Sequence, residues 1–234
     1  MANTAPFNFL LLPPELRAQI FSYLLPFTLP STPLRPSTVW IRGSITPLLL
    51  NQQLHHEAAA QLYGTNTFAL RVTYLGTRFL YSWLLPSGLR PSKALPFDFG
   101  ERYMRYVRHV VVSVEHVDSY KGMIKYNCGG RGLSEGVRRQ VESLVELLGQ
   151  CERLGRVEVR LEGSAVLDAI RKKVVRAKET FEAGGVGQEV LEPFARLKGV
   201  AAPRVGGSVD GEFARSLEQI MGRDNSWVGD DKWT

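Results

Sequence analysis

The chain has 234 residues, 44% of them apolar and 22% charged, with a formal net charge of +6. A chain this apolar can bury a core, which excludes disorder, and no apolar run approaches the roughly 20 residues of a membrane-spanning helix. The run Phe9–Leu12 stops at Pro13 and Pro14 with no basic segment before it, so no secretory signal is expected. Two cysteines, Cys128 and Cys151, lack metal-ligand spacing. They point to a reducing compartment, cytoplasmic or nuclear, without a disulfide framework.

Eleven of the 13 prolines fall within residues 1–100, and 17 of the 22 glycines fall beyond them. This shift divides the chain into a part at 1–100, a part at 101–222 and a tail at 223–234. The first helix is predicted over residues 14–25. Pro14 suits a first-turn position, Glu15 complements the helix dipole, and Leu16, Ile20 and Leu24 recur at steps of four. Phe21 and Leu25 widen this stripe, and Glu15, Gln19 and Ser22 form a narrow polar strip, so more than half of the helix surface asks to be covered.

Residues 26–36 hold four prolines and no helical or strand period, which reads as a loop. A second helix is expected over 47–63, capped by Thr46 and stopped by Gly64, with Leu50, Leu54, Ala58 and Leu62 on its buried face. The alternation Phe68, Leu70, Val72, Tyr74 predicts a half-buried strand. Phe79, Leu80, Trp83 and Leu84 suggest a short helix, and 86–100 a long connection.

Val110-Val111-Val112-Ser113-Val114 is apolar at nearly every position, as in a strand of a parallel sheet buried on both faces. A helix over 134–150 carries Val137, Val141, Leu144, Val145 and Leu148, and Val157, Val159 and Leu161 alternate with charges as a strand with one wet face. Another helix is expected at 164–183, a weak strand at 200–205 and a last helix at 212–221. Strand, helix, strand, helix, strand is a βαβ pattern.

Motifs that sound catalytic fall short. His55-His56-Glu57 lacks the i, i+4 imidazole spacing of a zinc helix and reads as a surface histidine pair. Cys128-Gly129-Gly130-Arg131-Gly132 lacks the Lys-Ser/Thr of a phosphate loop and reads as a flexible crossover. His109 and His116 fall on opposite faces of the valine strand. No acid, base and nucleophile converge, so no enzyme, metal or cofactor is expected. The basic run Arg171-Lys172-Lys173 with Arg176 and Lys178 wraps around its helix instead of lining one stripe, which argues against nucleic acid as the partner.

Leu12-Pro13-Pro14-Glu15-Leu16-Arg17, followed by Ile20-Phe21-Ser22-Tyr23-Leu24, resembles the opening of an F-box. The continuation through Leu48–Leu54, Glu57-Ala58 and Leu62-Tyr63-Gly64-Thr65-Asn66-Thr67-Phe68 is similar to fungal F-box-like proteins, as is the basic-aromatic stretch Tyr103–Val110. Unlike a compact three-helix F-box, this chain is interrupted early by the proline-rich loop at 26–36.

The resemblance implies a non-enzymatic substrate adaptor of a cullin–RING ubiquitin ligase. Leu12, Pro13, Leu16, Ile20, Phe21 and Leu24 would dock a Skp-type adaptor protein, and the C-terminal part would hold an unknown protein target. Two alternatives stay open. In one, the same six residues are internal core and the chain is a scaffold for another partner. In the other, a weakly basic surface binds nucleic acid. The expected fold class is α+β: a helical F-box-like N-terminal part packed on a strand, then a βαβ-type part with a small, mostly parallel sheet.

Overall fold

The computed structural model describes residues 8–29, 37–97, 101–115, 119–128, 130–162 and 187–223. The fold class is α+β. The helices are α1 (Pro14–Leu24), α2 (Pro47–Leu50), α3 (Gln52–Thr65), α4 (Glu101–Met104), α5 (Ser119–Tyr126), α6 (Gly130–Leu148) and α7 (Gly211–Gly222), with a 3-10 segment at Gln188–Arg196. The strands are β1 (Phe27–Thr28), β2 (Thr38–Ile41), β3 (Thr67–Thr73), β4 (Gly76–Leu85), β5 (Gly88–Leu89), β6 (Lys93–Pro96), β7 (His109–Glu115), β8 (Arg156–Glu162) and β9 (Ala202–Gly207).

All nine strands join one mixed sheet in the order β1-β2-β4-β3-β7-β8-β9, with β5 and β6 paired to β4. The sheet is therefore larger than expected and runs through both halves of the chain. The join is the parallel pair of β3 with β7, from Thr67 opposite His109 to Val72 opposite Val114. From β3 through β7 and β8 to β9 the remaining pairs are also parallel, as the βαβ reading required.

The register decides which side chains share a face, since successive residues of a strand point to opposite sides. Leu70 lies beside Val112, which lies beside Val159, and none is more than 1% exposed. These belong to one hydrophobic cluster with Ala58 of α3, Leu144 of α6 and Phe194 of the 3-10 segment. Each such side chain contributes about 1.5–3 kcal/mol by leaving water, so this face is the main source of stability. The valine strand is buried on both faces, Val111 and Ser113 included.

The expected wet face of β8 is different in kind. Glu158 is 8% exposed and sits between two arginines of its own strand: Arg156 Nη2 donates to it at 2.8 Å and Arg160 Nε at 2.7 Å. Burial alone would raise the Glu158 pKa, but the hydrogen bonds from Arg160 and Arg156 outweigh it and hold the carboxyl below its ordinary value. The outer edge of β9 is also closed. Pro203 has no N–H to offer there, and the Val205 N–H donates to Glu218 of α7 at 2.7 Å.

Several local expectations are corrected. The helix suggested at 79–84 is strand β4. Phe79, Leu80, Trp83 and Leu84 fit a helical spacing, but Gly76 at φ +131 turns the chain so that β4 pairs with β3, Thr73 opposite Gly76. Phe79 and Trp83 then join Trp40 in an aromatic group, at centroid distances of 6.3 Å in each case. The connection at 86–100 contains β5 and β6, which fold back on β4.

The helix at 47–63 is broken. Asn51 adopts an extended conformation, φ −155 and ψ 172, and its side chain accepts from the Leu54 N–H at 2.9 Å. It, and not Thr46, supplies the side-chain cap, and α3 runs through Gly64 to Thr65. Leu50 is thereby turned outward, while Leu54, Ala58 and Leu62 stay buried. Of the glycine-rich stretch read as a flexible crossover, Gly130, Arg131 and Gly132 belong to α6, which follows α5 (ending at Tyr126). The expected helix at 164–183 with its basic run, His116, most of the loop at 26–36 and nearly all of the tail lie outside the described residues.

Candidate docking face on the first helix

Helix α1 is fixed to the body by two anchors. The first is apolar: Phe21 is 1% exposed, Leu25 3%, and the Phe21 ring meets Phe9 at 5.8 Å between centroids. The second is Arg17, which the structure buries at 4% exposure. Its Nε donates to Glu57 Oε2 and its Nη2 to Glu57 Oε1, both at 2.7 Å. This forked pair matches a planar guanidinium to a carboxylate. Arg17 Nη1 also donates to the carbonyls of Leu10 and Leu12. One side chain thus ties the turn before α1, α1 itself and α3 together. The hydrogen bond from Arg17 holds the Glu57 carboxyl below its ordinary pKa, against partial desolvation.

At about 100° per residue, Arg17, Phe21 and Leu25 fill one arc of the helix. Leu16, Ile20, Tyr23 and Leu24, at i, i+4, i+7 and i+8, fill the adjoining arc. That second arc faces outward: Leu16 is 46% exposed, Leu24 44% and Tyr23 79%, with Ile20 half-buried. Leu11, on the turn before the helix, is 80% exposed. Exposed aliphatic and aromatic side chains at helical spacing make this arc a candidate docking surface.

The structure divides the six residues singled out from the sequence. Pro13, Leu16 and Leu24 are exposed, Leu12 and Ile20 are half-buried, and Phe21 belongs to the chain's own core. Phe21 is therefore removed from any docking face, because its ring is already surrounded. Tyr23 and Leu11, which the sequence did not single out, are exposed instead. The signal for Tyr23 was its spacing seven residues after Leu16; for Arg17 it was a cation inside an apolar helix, which needs a carboxylate within reach.

The remaining motifs resolve into structure. His55 is not a surface histidine: its Nδ1–H donates to the Leu48 carbonyl at 2.6 Å, and its Nε2 meets the Tyr103 hydroxyl at 3.0 Å. His109 is held below its ordinary pKa, first by desolvation and then by Arg108 and Arg156. Burial pushes the Cys151 thiol up to about 12. Among the described residues no three His, Cys, Asp or Glu side chains come together to hold a metal ion. No helix of the described residues is long and apolar enough to cross a membrane. No family model, curated protein or solved structure matches the chain.

Proposed function

We propose that the chain is a non-enzymatic interaction protein that presents the outer arc of α1 to a Skp-type adaptor protein. On this reading it serves as an F-box-like substrate adaptor of a cullin–RING ubiquitin ligase. The observation that carries the reading is the split of α1 into two apolar arcs, one spent on the chain's own core and one left outside. Leu16, Tyr23 and Leu24 place apolar side chains on the solvent side of a helix that Phe21 and Leu25 already anchor. The forked Arg17–Glu57 pair supports it further, since it fixes the helix rigidly and lowers the entropy cost of docking.

The mechanism is proximity. A ligase and a target held on one scaffold meet at high effective concentration, with no chemistry supplied by the scaffold itself. The target is an unknown protein, and the sheet-based part of the chain is where it would be held.

The test is co-purification of the full chain with a Skp-type adaptor, using the wild type and the double variant Leu16→Ser with Leu24→Ser. Both positions are more than two-fifths exposed, so the variant keeps its fold. A complex formed by the wild type and lost in the folded variant supports the reading. Failure of the wild type to form any complex refutes it.

A further inference from the structure

The turn that precedes α1 has little to hold it by itself. Phe9–Leu11 is a three-residue 3-10 segment, too short to be stable without contacts from elsewhere. Its own hydrogen bonds are local. The Asn8 side chain accepts from the Leu10 N–H at 3.1 Å, and the Asn8 and Phe9 carbonyls accept from the Leu11 and Leu12 N–H groups. Phe9 rests on Phe21, but Leu10 is 40% exposed and Leu11 80%. Burial of these two leucines therefore does not fix the orientation of the turn.

Arg17 supplies that hold. From the first turn of α1 its Nη1 donates to the Leu10 carbonyl at 3.2 Å and to the Leu12 carbonyl, the two that flank Leu11. Its Nε and Nη2 are spent on Glu57, whose Oε1 also accepts from Gln53 Nε2 at 3.1 Å. The carboxylate is thus fixed on α3, the guanidinium on the carboxylate, and the turn on the guanidinium. A planar fork with five donors can face a carboxylate with one edge and two carbonyls with another. Lysine would keep the charge, but its single ammonium cannot span both sets of acceptors.

We infer that Arg17 is a positioning residue for adaptor docking: it orients the turn before α1 so that Leu11 extends the outer arc beyond Leu16. This rests on the reading of α1 as the docking helix, and it adds a second, non-helical segment to that face. The arginine then has two separable roles. Toward Glu57 it holds α1 to the body; toward Leu10 and Leu12 it sets where Leu11 stands. The contribution of Leu11 to binding should therefore depend on Arg17. That of Leu24, about two turns further along α1, should not.

The test is a double-mutant cycle on the full chain, read as affinity for a Skp-type adaptor by titration calorimetry. Leu11→Ser and Leu24→Ser are each made in the wild type and in Arg17→Lys. Leu11→Ser should weaken binding about tenfold in the wild type and less than about twofold in Arg17→Lys. Leu24→Ser should cost the same in both backgrounds. An arginine that only held the fold together would leave both costs unchanged between backgrounds. If Arg17→Lys does not fold, Arg17→Gln with Glu57→Gln replaces it, since that variant leaves no buried charge unpaired. Amide hydrogen exchange without adaptor gives a second readout: loss of the arginine should speed Leu11 and Leu12 about tenfold and leave α6 unchanged. The inference is overturned if Leu11→Ser costs nothing in the wild type or costs the same in both backgrounds. Unchanged exchange at Leu11 and Leu12 also overturns it. In those cases the docking reading stands alone if Leu16→Ser with Leu24→Ser still abolishes binding. A wild type that binds no adaptor overturns both.

Discussion

The guanidinium of Arg17 and the carboxylate of Glu57, 40 residues apart in the chain, meet through two parallel hydrogen bonds of 2.7 Å. The pair joins the leucine–proline turn and α1 to the middle of α3, the two segments whose motifs carry the F-box-like resemblance. Arg17 sits at 5% side-chain exposure and Glu57 at 27%, so removing either partner leaves the other poorly solvated.

Acid should loosen this contact. The folded-state pKa of Glu57 is depressed, so its contribution is complete above the unfolded value near 4.5 and is lost as pH falls through the lower folded value. Glu57→Gln should lower the melting midpoint at pH 7, and the gap between variant and wild type should narrow below pH 4.5. Thermal melts across pH 3–7 by circular dichroism check this; a gap that stays constant with pH contradicts it.

The two arcs of α1 should respond oppositely to truncation. Phe21→Ala removes a fully buried ring and is expected to cost about 3–5 kcal/mol of stability. Leu16→Ser acts on an exposed position and should stay within about 0.5 kcal/mol. Urea unfolding of the two variants provides the comparison.

His109 should make the fold sensitive to mild acid. Desolvation, with Arg108 and Arg156 nearby, keeps its folded pKa below the ordinary 6.5. The unfolded chain therefore takes up its proton first, and stability is full above 6.5 and declines as pH drops toward the folded value. Replacing His109 with Asn should flatten the stability curve between pH 7 and pH 5, measured by denaturant titration at each pH.

The cysteines should differ in reactivity. Cys151, pushed up to about 12 by burial, holds almost no thiolate at neutral pH. Cys128 is partly exposed between α5 and α6. Alkylation at pH 8 followed by mass spectrometry should label Cys128 first, with Cys151 reacting only on unfolding.

A close approach at Gly43 supplies a further test of how α1 ends. A Cβ built there would collide with the backbone of Leu24, Leu25 and Pro26, while the Ser44 N–H donates to the Leu24 carbonyl at 2.7 Å. The colliding atoms are main chain and cannot swing aside. Gly43→Ala should destabilise by about 1–3 kcal/mol, read from its melting curve.

Much of the fold was legible because its signals are local. The valine run of β7, the alternation in β3 and β8 and the heptad-like apolar spacing of α6 each fix an element and its buried face. What the local pattern hid was decided by partners distant in sequence. Phe79 to Leu84 reads as a helical spacing, yet pairing with β3 and β2 makes it a strand. Asn51 looks like an interior helix residue, and only its side-chain bond to Leu54 reveals the break. At the candidate site, spacing revealed that α1 is apolar over most of its circumference. Which arc is spent on the core follows from Arg17, whose carboxylate lies in another helix. Exposure of Leu49 and Leu50 follows from the break at Asn51, so it had no signal of its own in the sequence.

The measurement that bears most directly on the central claim is the affinity of the full chain for a Skp-type adaptor by titration calorimetry, for the wild type and for Leu16→Ser with Leu24→Ser. The account predicts a stoichiometric complex for the wild type. It predicts a loss of at least about tenfold in affinity for the variant, with an unchanged melting temperature. Wild-type chain that releases no heat of binding, or a variant that binds as tightly as the wild type, would contradict it.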